Sequence, residues 1–274
     1  MATNGNGNNG KNGNGNYDLG ALFSSAVADG VLSPDTSTML TGNLGKVVIA
    51  GAAGTALEDI VASDVTLITV VIDASSSIKD RGLEQAVRDG QNQLVDSFGG
   101  SKEKDSILMA LWTFASGMDV LHSYVPVGDA ARLSSKNYRG SGCTVLYDTW
   151  CDALAANVAY SQRLRASGTP CRSVVVVITD GEDVGSKRKA GDCARLSRDL
   201  LASEQFILAF VGVGSDVDFH GVAKSMGVPD GCIAVQKDAT PSTLRKVFQM
   251  VSQSAIRASQ AKIKAGPSAG FFQP

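Results

Sequence analysis

Residues 65–72, VTLITVVI, form an almost unbroken run of β-branched and aliphatic side chains. Such a run, too short to span a bilayer and without polar alternation, suits a central parallel strand covered on both faces. It calls for a sheet with helices on either side. The run stops at Asp73 and is followed by Ala74-Ser75-Ser76-Ser77. In an open α/β sheet the carboxyl ends of the strands border the crevice where ligands bind, so Asp73, Ser75 and Ser77 are delivered to that edge. One carboxylate and two hydroxyls at alternate positions are hard oxygen donors. They suit a magnesium-like or manganese-like cation better than zinc or copper. Taken alone, the same residues also read as an acidic turn with serines capping the next helix.

The rest of the chain repeats the pattern. Residues 173–179 (SVVVVIT) are a second fully apolar strand ending at an acid, Asp180, with Gly181 in a turn. Helical spacing of apolar residues predicts helices over 83–98, 146–164, 194–203 and 217–226, and a final one opened by Thr240-Pro241. Strands are predicted over 105–114, 118–127, 206–213 and 232–235. Ser116-Gly117 is short enough for a hairpin, which makes one edge strand antiparallel. The predicted fold is therefore α/β, a doubly wound and mostly parallel sheet with one antiparallel edge strand, over residues 65–259. Before it, Leu19, Leu22, Phe23, Ala26 and Val27 share a helical face, and Ser33-Pro34 reads as the start of a second short helix. Residues 17–64 are thus a helical N-terminal extension, within which 46–60 (KVVIAGAAGTALEDI) fits strand and helix equally. Residues 1–16 are Gly/Asn low complexity and are expected to be a disordered leader. Residues 260–274, rich in Gly, Ser and Pro, are expected to be a flexible tail.

Bulk properties narrow the function classes. The 25 Lys and Arg nearly balance the 27 Asp and Glu, which favours neither nucleic acid nor an anionic membrane as the principal partner. The N-terminus lacks the apolar core of a signal peptide and no later run is long enough to span a bilayer, so a cytoplasmic location is expected. Five widely spaced cysteines with only two histidines make zinc and a disulfide framework poor readings, and buried or partly buried free thiols the expectation.

Three pieces now stand at one sheet edge: Asp73 to Ser77, Thr144 in the SGCT loop, and Asp180 in VVVVITDGED. In order and context they resemble the von Willebrand factor type A domain and its metal-ion-dependent adhesion site. The resemblance implies that Ser75, Ser77 and Thr144 coordinate a divalent cation, Mg2+ or Mn2+, through hydroxyls, with Asp73 and Asp180 holding it directly or through water. It also implies a non-enzymatic module that captures an Asp or Glu from a partner protein. Stand-alone members of this prokaryotic style often serve as adaptors beside AAA+ ATPases.

Other motifs carry weaker chemistry. A magnesium-dependent phosphatase or phosphotransferase with Asp73 as nucleophile is the alternative from another class, but it needs an acid two residues on, where Ser75 stands. Gly212-Val213-Gly214 lacks the third glycine of a dinucleotide fingerprint and reads as a tight turn. His220 and Asp218 could join a serine in a triad only without the usual nucleophile elbow. Lys187, Arg188 and Lys189, with Arg195 and Arg198 nearby, read as a solvated loop entering a helix. Phe271 and Phe272 read either as disordered or as a short docking motif for a partner or a second copy, removable in either case without loss of the fold.

Overall fold

The computed structural model describes residues 18–273. The leader expected over residues 1–16 lies outside them. Six strands form one sheet: β1 (Val65–Asp73), β2 (Ile107–Phe114), β3 (Met118–Pro126), β4 (Cys171–Thr179), β5 (Phe206–Val213) and β6 (Ile233–Gln236). Their spatial order is β3-β2-β1-β4-β5-β6, every pairing parallel except β2 with β3. The predicted fold class is the observed one. β1 lies at the middle of this sheet, and all nine of its residues are buried, as the missing polar alternation required.

Nine α-helices occur among the described residues: α1 (Leu19–Ala28), α2 (Pro34–Thr41), α3 (Lys46–Gly51), α4 (Ser76–Asp80), α5 (Glu84–Gly99), α6 (Leu146–Ala166), α7 (Ala190–Ala202), α8 (Phe219–Ser225) and α9 (Pro241–Ser259). Their caps follow from side chains the sequence supplies. The Ser33 hydroxyl accepts from the Thr36 N–H before Pro34, and the Thr240 hydroxyl accepts from the Thr243 N–H before Pro241. α5 and α9 pack together, while α6 packs on β1, β2 and β4 and also meets α1, α3 and α7.

Helices α1 and α3 form a second layer over α6, with α2 packed on α1 and α7. Seventeen of its 21 residues are buried, so α6 is enclosed instead of presenting one wet face. Several of the polar groups enclosed with it are paired, while Gln162 Nε2 is buried without a hydrogen bond. Asn157 bridges two strands, donating to the Thr69 hydroxyl (3.2 Å) and accepting from the Ser173 hydroxyl (2.6 Å). Arg163 donates to the carbonyls of Ala52 and Ala53 at 2.8 Å each, tying α6 to the chain after α3.

That chain is the segment whose sequence suits strand and helix equally, and its small residues are explained by proximity. A Cβ on Gly51 would lie 2.1 Å from the Trp112 ring, and one on Gly54 would lie 2.1 Å from the Tyr160 ring. Gly54 also has φ +51°. Gly54→Ala is therefore expected to destabilise the protein by roughly 2–4 kcal/mol, from overpacking plus a left-handed backbone, read as a lowered urea midpoint. Beyond it, the Thr55 N–H donates to the Tyr124 carbonyl (2.7 Å), covering part of the outer edge of β3.

The C-terminal segment corrects the expectation of a flexible tail. Ile263, Ala269 and Phe271 are buried, Phe271 completely. The Gly266 N–H donates to the Phe206 carbonyl (2.9 Å) and the Phe272 N–H to the Gly231 carbonyl (3.1 Å). Phe206 begins β5 and Gly231 precedes β6, so the segment seals the end of the sheet opposite Asp73. Local composition marked it as loop, correctly, but a loop with one large apolar side chain and backbone partners docks. The thiols need one correction as well. Cys143 is exposed, whereas Cys151, Cys193 and Cys232 are buried and Cys171 is half-buried, all unpaired by disulfides.

Candidate metal centre

The site is built from the last residue of β1 outward. Asp73 is buried, and both its carboxylate oxygens are engaged: Oδ1 accepts from the Ser75 N–H (2.7 Å) and Oδ2 from the Thr179 hydroxyl (2.5 Å). The Tyr138 hydroxyl donates to the Asp73 carbonyl (2.5 Å). Ser77 sits in the first turn of α4, and its hydroxyl lies 3.0 Å from that of Ser75 and donates to Asp180 Oδ1 at 2.7 Å. Asp73, Ser75, Ser77 and Asp180 thus form one connected cluster at the carboxyl edge of β1 and β4. Parallel pairing of these adjacent strands brings their ends level.

Thr144 reaches the same place on a separate loop. The Ser141 N–H donates to the Ala74 carbonyl (2.8 Å), the Ser76 N–H to the Gly142 carbonyl (3.0 Å), and the Val184 N–H to the Thr144 carbonyl (2.9 Å). The loop is stitched to both strand ends. Thr144 Oγ1 lies 3.3 Å from the place a Cβ would occupy on Gly181, so the glycine after Asp180 leaves room for the hydroxyl. A Cβ on Gly140 would stand 2.9 Å from the Ser75 carbonyl oxygen, and Gly142 has φ +76° with Ser116 Oγ 2.3 Å from its Cβ position. Two glycines let this loop approach.

Burial sets the electrostatics. It pushes the Asp73 carboxyl up to about 6, against hydrogen bonds from Ser75 and Thr179, with the Asp180 charge adding a smaller upward push. Burial also raises Asp180, opposed by the Ser77 hydrogen bond and by the Arg81 guanidinium. Asp180 Oδ2 is buried with no hydrogen-bond partner; Arg81 Nη1 stands 3.6 Å away, close enough for charge but too far for a hydrogen bond.

The donors fit a hard cation. They are oxygens only, they come from three chain segments, and one carboxylate oxygen is left without a hydrogen bond in a place where that is costly. Among the described residues no group of three or more His, Cys, Asp and Glu is placed to hold a metal, in keeping with a donor set that relies on hydroxyls.

A pH dependence follows. An acid whose folded pKa is raised stabilises the fold below its unfolded value, near 3.8, and that stabilisation is lost as pH rises through about 6. In EDTA the protein should therefore lose roughly 3 kcal/mol of stability from Asp73 across this window. Divalent-cation affinity should rise across the same window, because a ligand must shed its proton. Denaturation and calorimetric titrations at pH 4.5, 5.5, 6.5 and 7.5 check both slopes.

Sequence reasoning missed several supporting residues. Thr179 closes the predicted strand, yet its hydroxyl holds Asp73. Tyr138 was legible only as part of a polar loop. Asp183 and Ser186 accept from the Tyr147 and Asp148 N–H groups, capping α6 from the Asp180 loop. Arg188 departs from the expected solvated loop. It is turned inward, 2.6 Å from Asp152. His220 and Asp218 are not joined: Asp218 caps α8 by accepting from the Gly221 N–H, and His220 pairs with Asp230 at 3.3 Å. Gly212 packs against Phe219, whose Cγ lies 2.2 Å from its Cβ position, and Gly214 has φ +126°, which accounts for both glycines by packing and turn geometry.

Comparison with known proteins places this architecture. The von Willebrand factor type A domain model matches residues 68–249. The pilus adhesin SpaC from Lactobacillus rhamnosus GG aligns with a TM-score of 0.53 at 13% identity, covering 71% of this chain and 31% of that one. A mutant of the PilB minor pilin from Streptococcus sanguinis aligns at 0.52 and 11% identity, covering 74% and 64%. A von Willebrand factor type A protein from Catenulispora acidiphila gives 0.49 at 16% identity, covering 70% of this chain and 43% of its own. The chain therefore spans less than two thirds of each of these structures, and at such identities the adhesin and the minor pilin speak for the fold alone. No curated protein sequence matches significantly. Among the described residues no helix is long and apolar enough to cross a membrane. With a family model matched over well over half of its length, the chain belongs to the von Willebrand factor type A domain family.

Proposed function

We propose that this chain is a non-enzymatic, cation-dependent protein-interaction module, in which Asp73, Ser75, Ser77, Thr144 and Asp180 hold Mg2+ or Mn2+ and a partner protein supplies an Asp or Glu side chain. The observation that carries the reading is the largely buried, oxygen-only cluster at the carboxyl edge of β1 and β4, with Asp180 Oδ2 lacking a hydrogen bond. A divalent cation ligated by three neutral hydroxyls and two carboxylates keeps the Lewis acidity to take a further anionic ligand. Asp73 is oriented by Ser75, Thr179 and Tyr138, and the hydroxyls are placed by α4 and the 140–144 loop, so the donors are organised before any partner arrives. The reading extends to a cytoplasmic adaptor beside an AAA+ ATPase, with neither nucleic acid nor membrane as partner, supported by the family resemblance, the near-even charge and the unpaired thiols.

Phosphotransfer with Asp73 as nucleophile gains no support. Ser75 stands where the acid that would protonate the leaving group is needed.

The test is a pull-down from native lysate with Mg2+ or with EDTA, followed by surface-plasmon binding of the captured partner to wild type and Thr144→Val. Thr144→Val removes one hydroxyl at nearly constant volume, so affinity should fall by roughly tenfold to a hundredfold, as it should for wild type in EDTA. Binding indifferent to both changes would place the interaction on another surface.

A further inference from the structure

The side chain beside the Asp180 oxygen that lacks a hydrogen bond belongs to this chain and is itself a cation. Arg81 follows α4, and its N–H donates to the Ser77 carbonyl (3.0 Å), so it stands one turn beyond a proposed metal ligand. Its guanidinium lies between two acids from different strand ends: Nη1 is 3.6 Å from Asp180 Oδ2 and Nη2 is 2.8 Å from Asp216 Oδ2. The slot is shaped for it. The third wall is Gly214, whose φ of +126° keeps a side chain away and whose Cβ position would be only 3.0 Å from Nη1. Arg81 is about one-third exposed and Asp180 is buried, so the guanidinium screens the acid from its open side.

We infer that Arg81 is a tethered counter-cation that competes with the divalent ion for Asp180, holding the bare site to weak metal affinity. The inference rests on the metal-site reading above. A divalent ion that engages Asp180 meets a fixed positive charge on the same carboxylate, and like charges this close repel strongly where water is partly excluded. Asp216 moderates the repulsion by taking the other guanidinium nitrogen and drawing charge away from Asp180. An incoming carboxylate from a partner adds negative charge beside both cations, which offsets the repulsion. Cation and acidic partner are thereby captured together more readily than the cation alone.

The experiment is a titration of the full chain with Mn2+ alone, followed by calorimetry and by the electron paramagnetic resonance of free Mn2+, with the melting temperature in EDTA as a control for folding. Arg81→Gln and Arg81→Met should each bind Mn2+ at least tenfold more tightly than wild type. Arg81→Lys, which keeps the charge, should stay within about threefold of wild type, and Asp216→Asn should bind more weakly. A merely structural arginine would lower the melting temperature without tightening Mn2+ binding. Equal or weaker Mn2+ affinity in both neutral variants, or a lysine variant that behaves like them, overturns the inference while leaving the metal site standing. If no form binds Mn2+, the metal-site reading falls and takes this inference with it. Binding by the neutral variants but not by wild type supports both.

Discussion

Asp73→Ala is expected to abolish the rise in melting temperature that Mg2+ or Mn2+ gives the wild type, while leaving the EDTA-treated protein folded. Saturating cation at about a hundred times its dissociation constant should stabilise wild type by about 2.7 kcal/mol. For a domain of this size that corresponds to a rise of roughly 5–10 °C. The variant loses a carboxylate to which the proposed site commits both charge and geometry. It also loses a buried acid that is unfavourable when ionised, since burial has pushed its carboxyl up to about 6. At pH 7.5 removal of that burden, roughly 3 kcal/mol, offsets the lost hydrogen bonds to Ser75 and Thr179. Stability and cation response therefore separate in one substitution. Differential scanning fluorimetry with and without cation is the measurement, and an equal cation shift in Asp73→Ala would remove this residue from the site.

Phe271→Ala should be among the most damaging single changes, although only three residues follow it in the sequence. Its ring is fully buried and joins the main core, with Phe272 edge-on at 4.9 Å between centroids. Truncating a buried Phe to Ala costs about 3–5 kcal/mol through lost transfer energy and the cavity left behind. Removal of residues 267–274 should cost at least as much, because it also frees the Gly231 carbonyl and the Cys232 thiol, which bond to Phe272 and Ala269. Urea denaturation is the check. Cation affinity of whatever fraction remains folded should be unchanged, since the segment docks at the sheet end opposite Asp73. A midpoint equal to that of wild type would return these residues to the role of a dispensable tail.

Strands and long helices were legible because each is a one-dimensional pattern. Residues 65–72 lack alternation and are covered on both faces, and the i, i+3, i+4 spacing behind α5 and α9 survives into the structure. The same pattern shows which residues end β1 and β4, and so which acids and hydroxyls reach the ligand-binding edge. Parallel pairing needs no finer information to bring those ends level. Other features depend on distances between residues remote in sequence. Small residues at 46–54 suited strand and helix alike until α6, Trp112 and Tyr160 fixed how close the chain must come. Phe271 looked like part of a loop because nothing local reveals a vacant place at the far end of the sheet. Thr179, Tyr138 and Arg81 read as a strand end, a loop and a helix end. Their roles arise from partners 106, 65 and 99 residues away: the Asp73 carboxylate, the Asp73 carbonyl and Asp180. Sequence periodicity reports which face of an element is buried, whereas the pairing of one buried polar group with another is set by packing between elements, where a shift of one ångström makes or breaks a hydrogen bond.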